Sequence, residues 1–166
     1  MIEIYIKEIG NAESFSEKFV RGILSGKLNV NGSHIKICKN EFGKPYLRDY
    51  PNVHYNISHT RGIIVCAVSD MPVGIDIEKI KAFNKRVPER FFTKSERNYI
   101  FENKDNQDER FAEIWTMKES YVKWVGKGMA ISFDSFDVRK IIKGNIIIKT
   151  KKIDRYILSV CFSHKE

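Results

Sequence analysis

The chain has 166 residues, 42% of them hydrophobic and 11 of them Phe, so it can bury the core of one domain and is not composed like a disordered protein. Its 29 Lys and Arg against 21 Asp and Glu give a net charge of +8, which favours an anionic partner: a nucleic acid, a nucleotide phosphate or an acidic protein surface. The three cysteines have no C-x-x-C spacing and indicate reduced thiols. We predict a cytoplasmic protein, because no apolar stretch reaches the length of a membrane span.

The first half of the chain is predicted to consist mainly of strands. Its apolar patterns indicate, in order, a strand at 1–9, a helix that begins at Ser14 or Ser16 and ends at Gly26, strands at 53–57 and 62–68 joined by a turn, and a strand around Asp76. The last three strands follow each other closely. We therefore predict that they form a three-stranded meander.

From Pro88 onward the apolar period changes, and helices come before strands. The pattern predicts helical structure around 91–100, a polar linker at 103–109, a helix at 111–125, and short strands at 133–138, 146–151 and 156–162. Residues 63–69 resemble residues 157–163, since both are apolar runs with a cysteine before the end. This similarity hints at two related halves.

Asp76 and Glu78 are the first sign of chemistry. They alternate with Ile75 and Ile77, so on a strand both carboxylates lie on one face while the isoleucines can be buried on the other. Neighbouring carboxylates repel unless a cation, a proton or a base separates them. Mg²⁺ prefers one or two carboxylates together with phosphate and water oxygens. The pair therefore predicts a divalent-metal site, to which Glu119 would also contribute.

The helix predicted at 111–125 has a lysine on its apolar stripe. Lys118 either packs its stem and extends its ammonium to water, or it serves the site. Glu119 and Lys123 lie one turn apart, which fits either a surface ion pair or a functional pair. Residues 126–128, Gly-Lys-Gly, would end the helix or contact a phosphate.

Two further polar segments have two readings each. Residues 56–60 carry hydroxyl and imidazole groups that would bind phosphate or form a turn bonded to its own backbone. Residues 42–46 join a glycine, a lysine and a proline, and alone they predict a loop. No Walker loop, Rossmann fingerprint or zinc-ligand spacing is present.

Taken together and in order, these segments resemble the 4′-phosphopantetheinyl transferases, and most closely the surfactin-synthetase-activating subfamily. The motifs are Phe42-Gly43-Lys44-Pro45, Asn56-Ile57-Ser58-His59, Gly74-Ile75-Asp76-Ile77-Glu78, Phe91-Phe92 with Glu96, and Trp115-Thr116-Met117-Lys118-Glu119-Ser120 through Gly126-Lys127-Gly128. Each motif is weak alone. Their joint occurrence over about residues 40 to 140 makes the resemblance specific.

The resemblance implies an α+β fold of two similar α/β halves with pseudo-twofold symmetry and coenzyme A bound between them. We expect a single compact domain over residues 1–166, with the N-terminal half at about 1–80 and the C-terminal half at about 81–166. A chain that contains both halves would work as a monomer.

The resemblance also implies a metal site and a catalytic set. Asp76, Glu78 and Glu119 match the acidic residues that hold Mg²⁺, or alternatively Mn²⁺, against the pyrophosphate of coenzyme A. Asp76, Glu119 and Lys123 are the implied catalytic residues, with Glu119 deprotonating the attacking hydroxyl directly or through a metal-bound water.

Five residues match positions that contact coenzyme A. Lys118 and Lys123 match lysines near the phosphates, Ser58 and His59 match residues on a coenzyme A phosphate, and Lys44 matches a basic residue near the nucleotide. The implied reaction moves the phosphopantetheine arm from coenzyme A to a serine hydroxyl of an apo acyl or peptidyl carrier protein and releases 3′,5′-ADP. Such carriers are acidic, which suits the charge of +8.

Two other classes of function fit part of the sequence. A metal-dependent phosphohydrolase would use the same acids and lysines with water as the acceptor. A basic nucleic-acid-binding module would explain the charge, with Tyr46, Tyr50 and Tyr55 stacking on bases. Without a metal, however, the predicted group of three carboxylates would repel the phosphates of the nucleic acid. The predicted partners are therefore coenzyme A and an acidic carrier protein, with no nucleic acid and no membrane.

Overall fold

The computed structural model describes residues 1–10, 16–141 and 145–163. Over these ranges the strands and α-helices are β1 Ile2–Glu8, α1 Ser16–Leu28, β2 Ile37–Lys39, β3 Pro45–Leu47, β4 His54–Thr60, β5 Ile63–Ser69, β6 Val73–Lys79, α2 Arg86–Phe91, α3 Lys94–Phe101, α4 Gln107–Val125, β7 Ile146–Ile153 and β8 Tyr156–Ser163. The proposed helix cap Ser14 lies outside the described residues. Among the described helices, none is both long enough and apolar enough to cross a membrane.

The strands form two three-stranded antiparallel sheets and one small hairpin. The first sheet has the order β1-β5-β4, the second has the order β6-β8-β7, and β2 pairs with β3. Each large sheet is built from a strand, a helical region and a hairpin whose last strand lies in the centre. The predicted α+β class is confirmed. The similar runs 63–69 and 157–163 occupy the equivalent central strands.

The core lies between the two sheets and beneath the helices. One face of β5 packs against β6 and β8, through Ile63, Val65, Ala67, Val73, Ile75, Ile77, Tyr156, Leu158 and Val160. The other face of β5 packs through Cys66 and Val68 against Val20 and Leu24 of α1. Because β5 is covered on both faces, its seven residues are all buried. This explains why its sequence is a continuous apolar run without alternation.

The predicted meander is wrong in its third strand. β6 pairs with β8 rather than with β5, so it belongs to the second sheet. At the junction, side chains of the edge strand β4 bond the backbone of the edge strand β6. Asn56 Oδ1 accepts from the N–H of Ile75 at 2.9 Å, and Ser58 Oγ accepts from the N–H of Ile77 at 3.4 Å. These side chains replace the bonds that a strand ladder would supply.

Other segments also differ from the prediction. Residues 58–60 continue β4 and are not a turn, and the polar segment before Glu41 contains β2. The strand expected at 133–138 does not form, because its first residues make a 3₁₀ turn at Phe133–Ser135.

The predicted reduced thiols agree with the structure, where Cys38, Cys66 and Cys161 are all free. Burial raises the pKa of Cys66 and Cys161 to about 12.

Helix α4 lies almost in contact with the backbone of β6 at Gly74. A Cβ atom at Gly74 would lie 2.0 Å from the carbonyl oxygen of Ser120 and 2.4 Å from the backbone nitrogen of Trp124. Small polar side chains on this face of α4 support the close approach, and Thr116 hydrogen-bonds Ser159 of β8 at 2.8 Å. Only glycine fits at position 74.

We expect Gly74→Ala to lower the free energy of unfolding by about 3 kcal/mol, the upper end of the cost of overpacking. The atoms nearest to that Cβ belong to the backbone, and they cannot move without shifting the helix. Urea denaturation would measure the change. Gly22→Ala is the matched control, because a Cβ there meets no atom within 4 Å in the middle of α1, so it should raise stability by about 0.5–1 kcal/mol. Equal stability of Gly74→Ala and the wild type would contradict the close approach.

Candidate active site

The predicted catalytic residues meet where β4, β6 and α4 come together. Asp76 projects from β6, and its Oδ1 accepts hydrogen bonds from Lys123 Nζ of α4 at 2.6 Å and from Ser58 Oγ of β4 at 2.7 Å. Asp76 is 5% exposed and Lys123 is 27% exposed, so the ion pair is partly desolvated. Its geometry depends on the α4–β6 contact at Gly74.

Glu78 and Glu119 complete a group of three carboxylates around a cavity of about 320 Å³. Glu78 accepts from Thr60 Oγ1 at 3.3 Å. Burial raises the pKa of Glu78, and the charge of Asp76 raises it further. Burial likewise raises the pKa of Glu119, with further increases from Asp76 and Glu78 and an opposing effect of Lys123. The carboxylates therefore repel one another, and Lys123 compensates only part of that repulsion.

This arrangement fits a hard divalent cation. Asp76 Oδ2 is buried and has no hydrogen-bond partner. The hydration of this carboxylate oxygen is therefore not replaced by any interaction with the protein. Carboxylate oxygens are the donors that Mg²⁺ prefers. In the part of the chain that the structure describes, no three His, Cys, Asp or Glu side chains are already gathered at metal-binding distances. Asp76, Glu78 and Glu119 would have to move closer together around a cation.

A larger cavity of about 660 Å³ adjoins the carboxylates. Ile57, Trp115, Glu119 and Lys123 line both cavities, so the two are adjacent. The rest of the lining is mainly apolar and comes from both halves: Phe42, Pro45, Phe91, Val122, Met129, Ile131 and Phe133. The combined space has a charged end and an apolar end.

Lys44 lies where the β2–β3 hairpin meets the end of α4. Its Nζ donates to the carbonyl oxygen of Trp124 at 3.0 Å and to that of Val73 at 3.4 Å. Asn40 Nδ2 donates to the carbonyl oxygen of Gly126 at 3.0 Å, and Gly126 ends α4 with a positive φ of 78°, as predicted for the glycine after the helix. Lys44 lines the larger cavity, and burial lowers its pKa to about 8.

Comparison with known proteins tests the resemblance directly. A family model described as the 4′-phosphopantetheinyl transferase superfamily matches residues 72–165, which begin at β6. The 4′-phosphopantetheinyl transferase Sfp of Bacillus subtilis (strain 168) is 35% identical over 98% of this chain and 78% of its own length. The chain belongs to the 4′-phosphopantetheinyl transferase superfamily.

More distant and more local similarities agree. The 4′-phosphopantetheinyl transferase gsp of Aneurinibacillus migulanus is 41% identical over 82% of this chain and 57% of its own length. The L-aminoadipate-semialdehyde dehydrogenase-phosphopantetheinyl transferase of Mus musculus is 35% identical over 72% of this chain and 44% of its own length. The resemblance inferred from the ordered motifs is confirmed.

The structure places one predicted site residue of this transferase elsewhere. Lys118 is fully buried and lines neither cavity. Its Nζ pairs with Glu96 Oε1 at 2.9 Å and donates to the carbonyl oxygens of Phe133 and Phe136 at 2.5 and 2.7 Å. Burial lowers the pKa of Lys118, and the pair with Glu96 opposes that shift. The predicted phosphate contact is corrected, because all three donors of the ammonium are used inside the protein.

The other predicted contacts surround the cavities of the transferase. His59 is exposed and lines the smaller cavity. The hydroxyl of Ser58 donates to Asp76 and so orients the Asp76 carboxylate. No role was predicted for Trp115, Asn56 or Glu96, although all three belong to the sequence motifs. What could have identified these residues is the presence of a polar or very large side chain within a segment of regular apolar period.

We expect the stability of the transferase to rise with pH relative to that of Lys44→Met across about pH 8 to 10.5. The pKa of Lys44 falls from 10.5 to about 8 on folding, so in this window the unfolded chain binds more protons than the folded one. Below about pH 8 both states are protonated and the difference becomes constant. Urea denaturation of the ligand-free proteins at several pH values would measure it, and a difference that does not vary through the window would contradict the burial of this ammonium.

Proposed function

We propose that this enzyme transfers the 4′-phosphopantetheine arm of coenzyme A to a serine hydroxyl of an apo acyl or peptidyl carrier protein and releases 3′,5′-ADP. The observation that supports this reaction most directly is the partly desolvated group of Asp76, Glu78, Glu119 and Lys123 beside a cavity shared by both halves. Membership of the superfamily supports the transfer itself.

Phosphoryl transfer depends mainly on positioning and on charge neutralisation. Asp76, Glu78 and Glu119 would hold Mg²⁺, or Mn²⁺, which when bound would neutralise part of the pyrophosphate charge. Lys123 lies between Asp76 and the larger cavity and would donate to phosphate oxygens. His59, at the exposed edge of the smaller cavity, would contact a coenzyme A phosphate.

Glu119 is the proposed general base. It lines both cavities, and its raised pKa makes it a better proton acceptor than an exposed glutamate. In the proposed step the serine oxygen bonds to the β-phosphorus of coenzyme A while the bond to the 3′,5′-ADP oxygen breaks. The serine proton passes to Glu119 and later to solvent.

The proposed partner is an acidic carrier protein. The net charge of +8 would steer such a partner to the enzyme and orient it before contact. Because residues from both halves complete one site on one chain, we propose that the enzyme acts as a monomer. We place it in the cytoplasm, where its three free thiols would stay reduced.

The deciding experiment is the intact mass of an apo carrier protein after incubation with this enzyme, coenzyme A and Mg²⁺. We expect a gain of one phosphopantetheine arm together with 3′,5′-ADP, and no gain with EDTA or with a carrier whose acceptor serine is replaced by alanine. Consumption of coenzyme A without a labelled carrier would favour a phosphohydrolase. Absence of both coenzyme A binding and consumption would contradict the proposal.

We expect Asp76→Ala to lower kcat/KM by about 10²–10³-fold, the range for loss of one group that stabilises transition-state charge. The Lys123 ammonium would lose its ion-pair partner, and the proposed cation would lose a ligand. Initial rates of carrier labelling would measure the loss. Asp49→Ala is the matched control, because Asp49 is an exposed acid with only a 4.0 Å ion pair to Lys36. A wild-type labelling rate in Asp76→Ala would contradict the assignment of Asp76 to the active site.

We expect Glu119→Gln to lower kcat by about 10²–10⁴-fold, the range for loss of a general base, without lowering the stability of the metal-free protein. The amide keeps the shape and removes one of three mutually repelling charges. Labelling rates and urea denaturation would separate the two effects. Glu113→Gln on the same helix, where Glu113 accepts from Tyr99 Oη, should retain the wild-type rate. A variant that is less stable but equally fast would give Glu119 a structural role.

A further inference from the structure

The buried ammonium of Lys118 organises a segment that has no regular secondary structure beyond a single turn. Two of its donors bond the backbone carbonyls of Phe133 and Phe136, and the third bonds Glu96. The rings of Phe92, Phe133 and Phe136 lie 4.2 to 5.8 Å from the same nitrogen. Residues 133–136 therefore fold around one cation.

Glu96 secures the other end of the same segment. Its Oε1 accepts from the backbone N–H of Val138 at 2.9 Å, and its Oε2 accepts from the N–H of Thr93 at 2.9 Å, where it closes the capping box of α3. One carboxylate thus joins α3 to the end of the segment, and the ion pair joins both to α4. An apolar pair of the same volume would satisfy none of these backbone groups.

The segment held in this way continues into the wall of the larger cavity. Ile131, Ser132 and Phe133 line that cavity, which Glu119 also lines. Phe133 packs edge-on against Trp115 with ring centroids 5.5 Å apart, and Trp115 lines both cavities. A shift of the backbone at Phe133 would change the width of the cavity directly.

We propose that Glu96 and Lys118 are a positioning pair that fixes the Phe133 wall of the larger cavity and so sets the affinity for coenzyme A. The inference rests on the proposed function in taking coenzyme A as the ligand of that cavity. Asp76, Lys123 and Glu119 are held independently by the contact of α4 with Gly74. Loss of the pair therefore raises KM while it leaves kcat nearly unchanged.

The test separates positioning from simple charge compensation. Lys118→Met alone leaves a buried unpaired carboxylate and destabilises the protein, so it cannot distinguish the two. The charge-neutral double variant Glu96→Gln/Lys118→Met removes that penalty but leaves the carbonyls of Phe133 and Phe136 unbonded. We expect it to recover most of the lost melting temperature, to raise KM for coenzyme A by about 10- to 100-fold, and to keep kcat within a few-fold of wild type.

Hydrogen exchange supplies a readout that needs no coenzyme A. In the double variant, amides of residues 131–138 should exchange faster, while those of β6 should not. Lys152→Met is the matched control, because it breaks an exposed ion pair with Glu109 of the same helix and should change neither KM nor exchange at 131–138. Wild-type exchange and wild-type KM in a stable double variant would overturn the proposal.

Phe133→Leu covers the case in which the double variant does not fold. It removes the ring from the wall but keeps the ion pair with Glu96 and the backbone carbonyls that Lys118 bonds, so the proposal predicts a rise in KM with little change in kcat. An unchanged KM in Phe133→Leu would overturn the proposal. If the wild-type enzyme neither binds coenzyme A nor labels a carrier, the proposed function fails, and with it the assignment of this ligand. Unchanged exchange at 131–138 in the double variant would contradict the positioning role of Glu96 and Lys118 whichever ligand the cavity takes.

Discussion

The close approach of α4 to β6 at Gly74 is the constraint on which the site depends. Because no side chain separates the helix from the strand there, Lys123 can reach Asp76 at 2.6 Å, and Glu119 lies one turn before it on the same helix. The strand supplies two acids on one face, and the helix supplies a third acid and a cation. The fold thus brings together groups that lie more than 40 residues apart in sequence. It does so with backbone contacts, which are more rigid than contacts between long side chains.

The electrostatics of this junction are unfavourable without a ligand. Burial raises the pKa of Glu78 and Glu119, Asp76 raises both further, and Asp76 Oδ2 has no partner. A protein selected only for stability would avoid this grouping. Strain of this kind at a cavity is typical of a site that binds a compensating charge. The repulsion among these carboxylates is a physical reason for the proposed cation, and it does not depend on the family to which the chain belongs.

Neighbouring residues on α4 have opposite tasks. Glu119 faces the two cavities, whereas Lys118 is fully buried on another face of the helix, where it organises residues 133–138 with Glu96. Successive residues on a helix are rotated by about 100° about its axis. Two adjacent residues can therefore face different surroundings, one in the site and the other in the protein interior. The same helix therefore positions the acid directly and, through Lys118, another part of the wall of the larger cavity.

The sequence by itself determined the strand that carries Asp76 and Glu78 on one face, the helix that carries Glu119 and Lys123, the glycine that ends this helix, and the superfamily, since each depends on local period or on motif order. Only the tertiary structure decided that β6 pairs with β8, that residues 133–138 are not a strand, and that Lys118 is buried. The reason is physical. Strand partners and the environment of a buried charge are set by residues distant in sequence: Glu96 lies 22 positions before Lys118, and no periodicity within the helix reports its presence.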